Sequence, residues 1–442
     1  MGLRTKKSIF YTMLTNISRI LLASVLVLSG FVKAVDPKGT MYKLQEYANA
    51  FSIEAFSDDW LLFFAIMLAA TEFLLGVFML MGVYRRFVAF MVFLVFVLFT
   101  PFTLYVAISD IVPDCGCFGD AIGMSNTASF LKNLFLLMLS VIVFLGRRRF
   151  VANISAKSRW MVFLFAVFYI SLVETVSLSY IPVLDFRHYA VGNNLRELVQ
   201  GEGDVYKVVM TYEKDSVQRD FEQDSLPDAT WRFVKSRSVL VAEGRKPVIG
   251  DFSILEWESD YDVAEDILAD TGYVCVLVAE FLEEASVGRV DKINDLYDYC
   301  LENDVPFYAA TSSGEEDIRL WRKRTGAEYP VYWADNMLLR GMVRANPGLL
   351  LIDNGVIVGK WNVDSMPEPQ QMMSPEYYVQ AKEAVMDMNG KLFWAVLFAV
   401  PLLFIVLLDL VTGRKGKNAK TDAGDAVVSV AAVEEKDEIP VE

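Results

Sequence analysis

The sequence predicts a multi-domain membrane protein, an α-helical bundle of six transmembrane spans with an α/β domain carried outside the bilayer. Three observations lead there. The 442 residues are 54% hydrophobic, with a mean hydropathy of +0.35, too apolar for an ordinary soluble chain. The apolar residues gather into six blocks close to the roughly 20 residues that cross a hydrocarbon core. Between the fifth and sixth blocks, about 200 polar residues intervene, far more than a loop requires.

The spans fall near Thr15–Val32, Trp60–Val83, Phe87–Ile108, Ala128–Leu145, Trp160–Ile181 and Leu392–Val411. Arg4, Lys6 and Lys7 precede the first, and Arg85 and Arg86 join the second to the third. Arg147, Arg148, Arg149, Lys157 and Arg159 join the fourth to the fifth, and Arg414, Lys415 and Lys417 follow the sixth. The positive-inside rule puts these four segments in the cytoplasm. The expected protein is therefore a multi-pass protein of the cell inner membrane with both termini cytoplasmic. Ala34–Asp59, Ser109–Thr127 and residues 182–390 then face the periplasmic, extracytoplasmic side. A second reading takes Val32-Lys33-Ala34 as a signal-peptide cleavage site and leaves the remaining topology unchanged.

Residues 1–150 are expected to form a four-helix membrane domain whose short connections make neighbours of its spans, with Gly30, Gly76 and Ala69 permitting close approach. Residues 151–184 carry the fifth span, and 391–412 the sixth. Residues 185–246 read as a β-rich lead-in, with VYKVVMTY and RSVLVAEG as β-prone runs. Residues 247–390 alternate strands and helices. YVCVLVAEF (273–281) reads as a strand buried on both faces, VDKINDLYDYCLEND as a helix, VPFYAAT as a second strand, and EEDIRLWRKRTG as a second helix ending at Gly326. GLLLIDNGVIVGKW (348–361) reads as a hairpin turning at Asn354-Gly355. Residues 413–442 are polar and low in aromatics, a disordered cytoplasmic tail. Between Asp185 and Lys391 stand 38 acidic and 21 basic residues, a balance that excludes nucleic acid and anionic lipid as partners of this region. Membrane lipid around the spans and an extracytoplasmic protein client are the expected partners.

The chain has four cysteines and one histidine. Cys115 and Cys117 flank Gly116 in PDCGCFGDAIG (113–123), on the side where the topology allows thiols to be oxidised. An extended tripeptide keeps two Cα atoms within the about 4.4–6.8 Å that a disulfide tolerates, although the torsion is hard to satisfy in so small a ring. Gly116 relieves part of that strain. Strained, exposed disulfides exchange readily, so the pair suits transfer of oxidising equivalents. Other readings stay open: half of a metal site, for which His188, Cys275 and Cys300 are too few and too scattered, or cysteines that are inert or paired elsewhere. No metal is expected. Cys275 and Cys300 read as buried small hydrophobes. Glu72, near the middle of its span, is an ionisable group that requires a partner or a cavity, and Lys33 is the candidate counter-ion. The pair either supports the chemistry or only fixes helix packing. Glu174 reads as interfacial, and no phosphate loop or dinucleotide fingerprint is present.

VLSGFVKAVDP, ATEFLLGVFMLMGVYRR, DCGCFGDAIG and LKNLFLL together resemble the four-span DoxX/MauE superfamily over about residues 10–146. CGCFG resembles the MauE branch, linked to methylamine utilisation. The resemblance implies a membrane component that supports disulfide formation or electron transfer, with quinone as the cofactor it suggests. It marks Gly30, Lys33, Glu72, Gly76, Cys115, Cys117, Phe118, Gly119 and Asn133. Residues 247–365 resemble the thioredoxin-like fold, with PVIGDFSILEW as a lead-in strand and Pro347 at the place of its cis-proline. Thioredoxins carry Cys-x-x-Cys where this chain reads FLEEAS (281–286), and Glu283 and Glu284 cannot do thiolate chemistry. The domain is expected to be redox-inactive and to position a client. The expected function is that of an inner-membrane thiol–disulfide redox or electron-transfer component with Cys115 and Cys117 as its redox pair, and whether it acts as an enzyme, as a disulfide oxidoreductase would, stays open. The alternatives are a non-enzymatic binding scaffold and a quinone-linked oxidoreductase of DoxX type.

Overall fold

A computed structural model describes residues 2–53, 56–149, 153–179, 182, 184–201, 205–214, 217–222, 226–228, 230–242, 244, 247–257, 259, 261–374 and 392–412. The expected tail at 413–442 and the end of the expected α/β domain at 375–390 lie outside the described residues. The chain forms two compact units, residues 1–186 with 387–442, and residues 187–386.

The first unit is helical: α1 (Gly2–Val35), α2 (Pro37–Ala50), α3 (Asp58–Met81), α4 (Arg85–Ser109), α5 (Asn126–Leu145) and α6 (Arg159–Ser179), then a closing helix, Leu392–Thr412. All but α2 are long and apolar enough to cross a membrane, which makes this a multi-pass membrane protein. α2 is a helix where the sequence suggests only a connection. Its start is nonetheless well specified, because Asp36 accepts the Gly39 amide and Pro37 occupies the first turn, where a missing N–H costs nothing.

α1 and α3 meet backbone to backbone. A Cβ on Gly30 would stand 2.5 Å from Phe73 N and 2.8 Å from Ala69 O, and one on Gly76 would stand 2.6 Å from Val27 N. Only the missing side chain permits this approach, and dispersion contacts reward it in lipid. Gly30→Val is therefore expected to separate the two helices. Its cost should exceed the about 1–3 kcal/mol of ordinary overpacking, because the atoms struck are main chain. Thermal unfolding in detergent checks this, with Gly123→Val as a comparison, since a Cβ there would meet nothing within 4 Å.

Leu22, Leu26, Phe96 and Leu136 fill the centre between α1, α4 and α5, while Phe73, Tyr169 and Phe398 join α3, α6 and the closing helix. Tyr169 donates to Trp394 O at 2.9 Å, and Asp409 accepts from Ser155 and Ser158. Glu174 lies in the last two turns of α6. It is 5% exposed, packed into the bundle, and its Oε1 has no hydrogen-bond partner among the described residues.

The second unit contains α7 (Leu195–Gln200) and a three-stranded antiparallel sheet of β1 (Val205–Lys214), β2 (Val217–Glu222) and β3 (Arg232–Ala242), ordered β2-β1-β3. Then follow α8 (Ala264–Ala269), β4 (Tyr273–Ala279), α9 (Val290–Glu302), β5 (Phe307–Thr311), α10 (Glu315–Thr325), β6 (Val331–Trp333), α11 (Asn336–Met342), β7 (Gly348–Asp353) and β8 (Val356–Asn362). Their sheet runs β6-β5-β4-β7-β8, with β4, β5 and β6 parallel and β7 and β8 antiparallel. A parallel β-α-β followed by an antiparallel hairpin on the other side of β4 is the thioredoxin-like arrangement. β4 is buried along nearly its whole length, as its continuous apolar run predicts. Asn354 and Gly355, at φ 47° and 78°, make the tight hairpin turn. The expected lead-in strand at 247–257 is not one. Ile249, Phe252 and Ile254 are buried, but the backbone bonds scatter to Leu198, Trp333 and the Asp262 side chain, so apolar residues line up without a ladder.

Candidate functional site

Between α4 and α5 the chain turns through residues 110–125, and its shape is set by a few polar groups. Asn126 donates to Asp110 Oδ1 at 2.9 Å and Val112 O at 2.7 Å. Asp114 Oδ1 accepts the Gly116 amide at 2.8 Å. Gly116, at φ +63°, sits in the left-handed region that favours glycine. This reversal brings the side chains on either side of it together, and the Cys115 and Cys117 sulphurs lie 2.9 Å apart as free thiols. Joining them at about 2.05 Å requires movement of less than an ångström. Cys115 is 8% exposed, so the pair is not the exposed one its surface position suggests.

The two charged residues singled out in the sequence meet here. Lys33 Nζ donates to Glu72 Oε2 at 2.7 Å, Ser29 Oγ at 2.8 Å and the Cys117 carbonyl at 2.8 Å. Ser29 Oγ lies 2.8 Å from Glu72 Oε2 and 2.9 Å from the same carbonyl, and its single proton serves one of them at a time. The ion pair thus fixes the backbone of Cys117 as well as joining α1 to α3. From α2, Tyr47 donates to Cys115 O at 3.1 Å, and Lys43 bridges Glu46 at 2.9 Å and Asp114 at 3.1 Å. Ser29, Lys43 and Tyr47 carry no signal in the sequence beyond their type, and the helix that presents the last two was not expected.

A cavity of about 450 Å³ opens beside the sulphurs. Leu26, Leu68, Phe96 and Phe99 supply its apolar wall, and Cys115, Cys117, Lys33, Glu72 and Lys132 its polar end. Lys132 stands over the Phe118 ring at 4.4 Å from its centroid, close to Cys117. Asn133 lines the cavity but is bonded elsewhere, donating to Thr103 Oγ1 at 3.3 Å. Gly30 and Gly76 act in helix packing, and Gly119, at φ +52°, continues the turn.

The environment splits the two thiols. A hydrogen bond from Cys115 holds Cys117 below the ordinary thiol range, and burial, which opposes ionisation, is outweighed when the Lys132 and Lys33 ammoniums are added. The same shared hydrogen bond, with burial, pushes Cys115 up. One thiolate beside one thiol is the state that attacks a disulfide or an electrophile.

The described residues of the other unit hold no such centre. At the position of a thioredoxin's cysteines, Glu283 Oε2 accepts from Ser313 Oγ at 2.8 Å, Asn346 Nδ2 donates to Phe281 O at 2.8 Å, and Ser286 N donates to Asn346 O at 3.1 Å. Asn346-Pro347 is cis. Cys275 and Cys300 are fully buried, with sulphurs 3.7 Å apart. Among the described residues there is no cluster of three or more metal-ligating side chains.

Comparison with known proteins gives three findings. The family model described as Methylamine utilisation protein MauE matches residues 11–146, and one described as Domain of unknown function (DUF8463) matches residues 206–243. No curated protein matches the chain. The solution structure of a candidate protein disulfide isomerase from Bacteroides thetaiotaomicron is similar at 18% identity, covering 31% of this chain and 85% of that one, with a TM-score of 0.22. That overlap is too slight to bear on the fold, which the strand order carries by itself. Residues 11–146, which hold the Cys115 and Cys117 turn and the Lys33–Glu72 pair, are thus the part of the chain that matches the MauE family model, and a domain of thioredoxin-like strand order follows in the same polypeptide.

Proposed function

We propose that this protein is an inner-membrane thiol–disulfide redox component in which Cys115 and Cys117 cycle between dithiol and disulfide. The observation that carries the reading is the paired geometry of the two sulphurs, in contact at 2.9 Å at the polar end of an apolar cavity. The distribution of basic residues favours an orientation with both termini in the cytoplasm and residues 109–127 and 182–390 outside. The cavity suits a membrane-soluble electron carrier of the quinone class. The reaction balances as Cys117 thiolate, Cys115 thiol, quinone and one proton giving the disulfide and hydroquinone, with two electrons leaving sulphur. A client dithiol then returns the pair to its reduced form by exchange, its own sulphurs becoming a disulfide. The thioredoxin-like domain, lacking Cys-x-x-Cys and tethered by a span at each end, serves to bind the client and raise its effective concentration.

The FLEEAS loop, closed by hydrogen bonds to the segment at Asn346, also favours a second reading in which the whole chain is a binding scaffold and the bundle an anchor. The double variant Cys115→Ser with Cys117→Ser separates the two. The redox reading expects client oxidation to stop with that variant. The scaffold reading expects it to be unaffected, while deletion of residues 187–386 abolishes function.

A further inference from the structure

Three lysines line the cavity beside the cysteines: Lys33, Lys43 and Lys132. Two are neutralised by carboxylates, Lys33 by Glu72 at 2.7 Å and Lys43 by Glu46 at 2.9 Å and Asp114 at 3.1 Å. Lys132 has no carboxylate within ion-pair distance among the described residues. It is half-buried, lies over the Phe118 ring at 4.4 Å, and an aromatic face compensates a cation only in part. Among the described residues, the other titratable groups lining the cavity are Cys115, Cys117 and Tyr47. A half-buried ammonium without a carboxylate partner is costly unless something anionic is supplied, and the group placed to supply it is the Cys117 thiolate.

That arrangement has a consequence when the redox state changes. In the dithiol form a thiolate at Cys117 and the Lys132 ammonium, both lining the cavity, would neutralise each other. In the disulfide form the thiolate charge is gone, while the Lys33 and Lys43 pairs are unaltered, so Lys132 alone is left with uncompensated charge in the cavity. We propose that Lys132 is the positioning cation of this site, serving as counter-ion to the Cys117 thiolate in the dithiol and, as the sulphurs join, donating to the oxygen of the electron acceptor on which negative charge develops. The proposal rests on the redox reading above and adds its recognition element. The acceptor it fits presents a carbonyl oxygen at the head of an apolar body. As the Cys115–Cys117 bond forms, two electrons pass to that acceptor, which takes up two protons, one from the Cys115 thiol and one from water.

The test uses the full-length reduced protein in nanodiscs, with two readouts. The first is the pH profile of iodoacetamide alkylation at Cys117, followed by mass spectrometry and needing no acceptor. The second is the single-turnover rate of dithiol oxidation by a short-chain ubiquinone analogue. Lys132→Met is expected to raise the alkylation midpoint by about 1–3 pH units, the effect of losing an opposite charge at close range. It should also slow quinone-driven oxidation about 100-fold, as loss of a donor to a developing anion does. Lys132→Arg should restore both, which a merely structural role would not require. If Lys132→Met does not fold, Lys132→Gln against Lys132→Arg supplies the same comparison. An unmoved midpoint, or equal behaviour of the charged and neutral variants, overturns the proposal. Wild-type protein that fails to reduce the quinone overturns the acceptor role and the quinone reading together, whereas the midpoint still decides the counter-ion role separately.

Discussion

Cys117→Ser is expected to abolish dithiol–disulfide cycling outright, and Cys115→Ala to leave one thiol whose reactivity has moved to higher pH. In the wild-type protein the hydrogen bond from Cys115, with Lys132 and Lys33 behind it, holds Cys117 down to about 6. The reactive form is the thiolate. Alkylation of Cys117 should therefore be near its plateau at neutral pH, and fall as pH drops through about 6. Cys115, pushed up chiefly by the bond it shares with Cys117, should stay unreactive over that range. Alanine at 115 removes the largest single contribution and should shift the Cys117 midpoint upward, toward the ordinary thiol value of about 8.5. Serine at 115 keeps an O–H donor and should hold it part of the way. Residue-resolved alkylation against pH reads all three variants, and equal profiles for Cys115 and Cys117 in the wild type would remove the basis for assigning them different roles.

The second large effect concerns the ion pair in the bundle. Lys33→Met leaves Glu72, whose side chain is 14% exposed, with Ser29 as its remaining hydrogen-bond partner among the described residues, and loss of one partner from a buried pair costs up to about 3–5 kcal/mol. Lys33→Met with Glu72→Leu should regain most of that, because no charge is then stranded. Thermal unfolding of the single and double variants measures the difference. The double variant still lacks the Lys33 donor to the Cys117 carbonyl and keeps only the Ser29 hydroxyl there, so the 115–118 turn is held by fewer bonds even where stability recovers. A double variant that is stable but has lost the contrast between the two thiols assigns the pair a part in the chemistry. One that keeps both stability and contrast reduces the pair to helix packing.

What could be read from the sequence divides along physical lines. Hydropathy over twenty residues is a strong signal, and all six spans were legible, as were the buried strand at 273–281 and the Asn354-Gly355 hairpin. Glu72 and Lys33 were legible because a charge within an apolar run demands a partner. Lys132 carries the same charge, but it stands one turn into its span, where a lysine ordinarily reaches for water. Only the folded turn shows it beside Cys117. Ser29 and Tyr47 act through hydrogen bonds to the Cys117 and Cys115 carbonyls and, for Ser29, to Glu72, all distant in sequence, which leaves no periodicity to read. α2 was hidden because its polar and apolar residues alternate without a strong stripe. The burial of Glu174 was not legible, because distance from the end of a span says nothing of which neighbour covers a side chain. The segment at 247–257 shows the converse, since apolar spacing reports burial and not a ladder of hydrogen bonds.

The central claim is that Cys115 and Cys117 are one redox couple linked to a membrane carrier. The most direct test is a redox titration of the pair in native membranes, followed by mass-tagged thiol trapping, with and without added quinone. The account predicts that both thiols appear and disappear together in a single two-electron transition, and that quinone draws the pair to the disulfide. A pair that stays reduced throughout, or that responds to neither oxidant nor reductant, contradicts it.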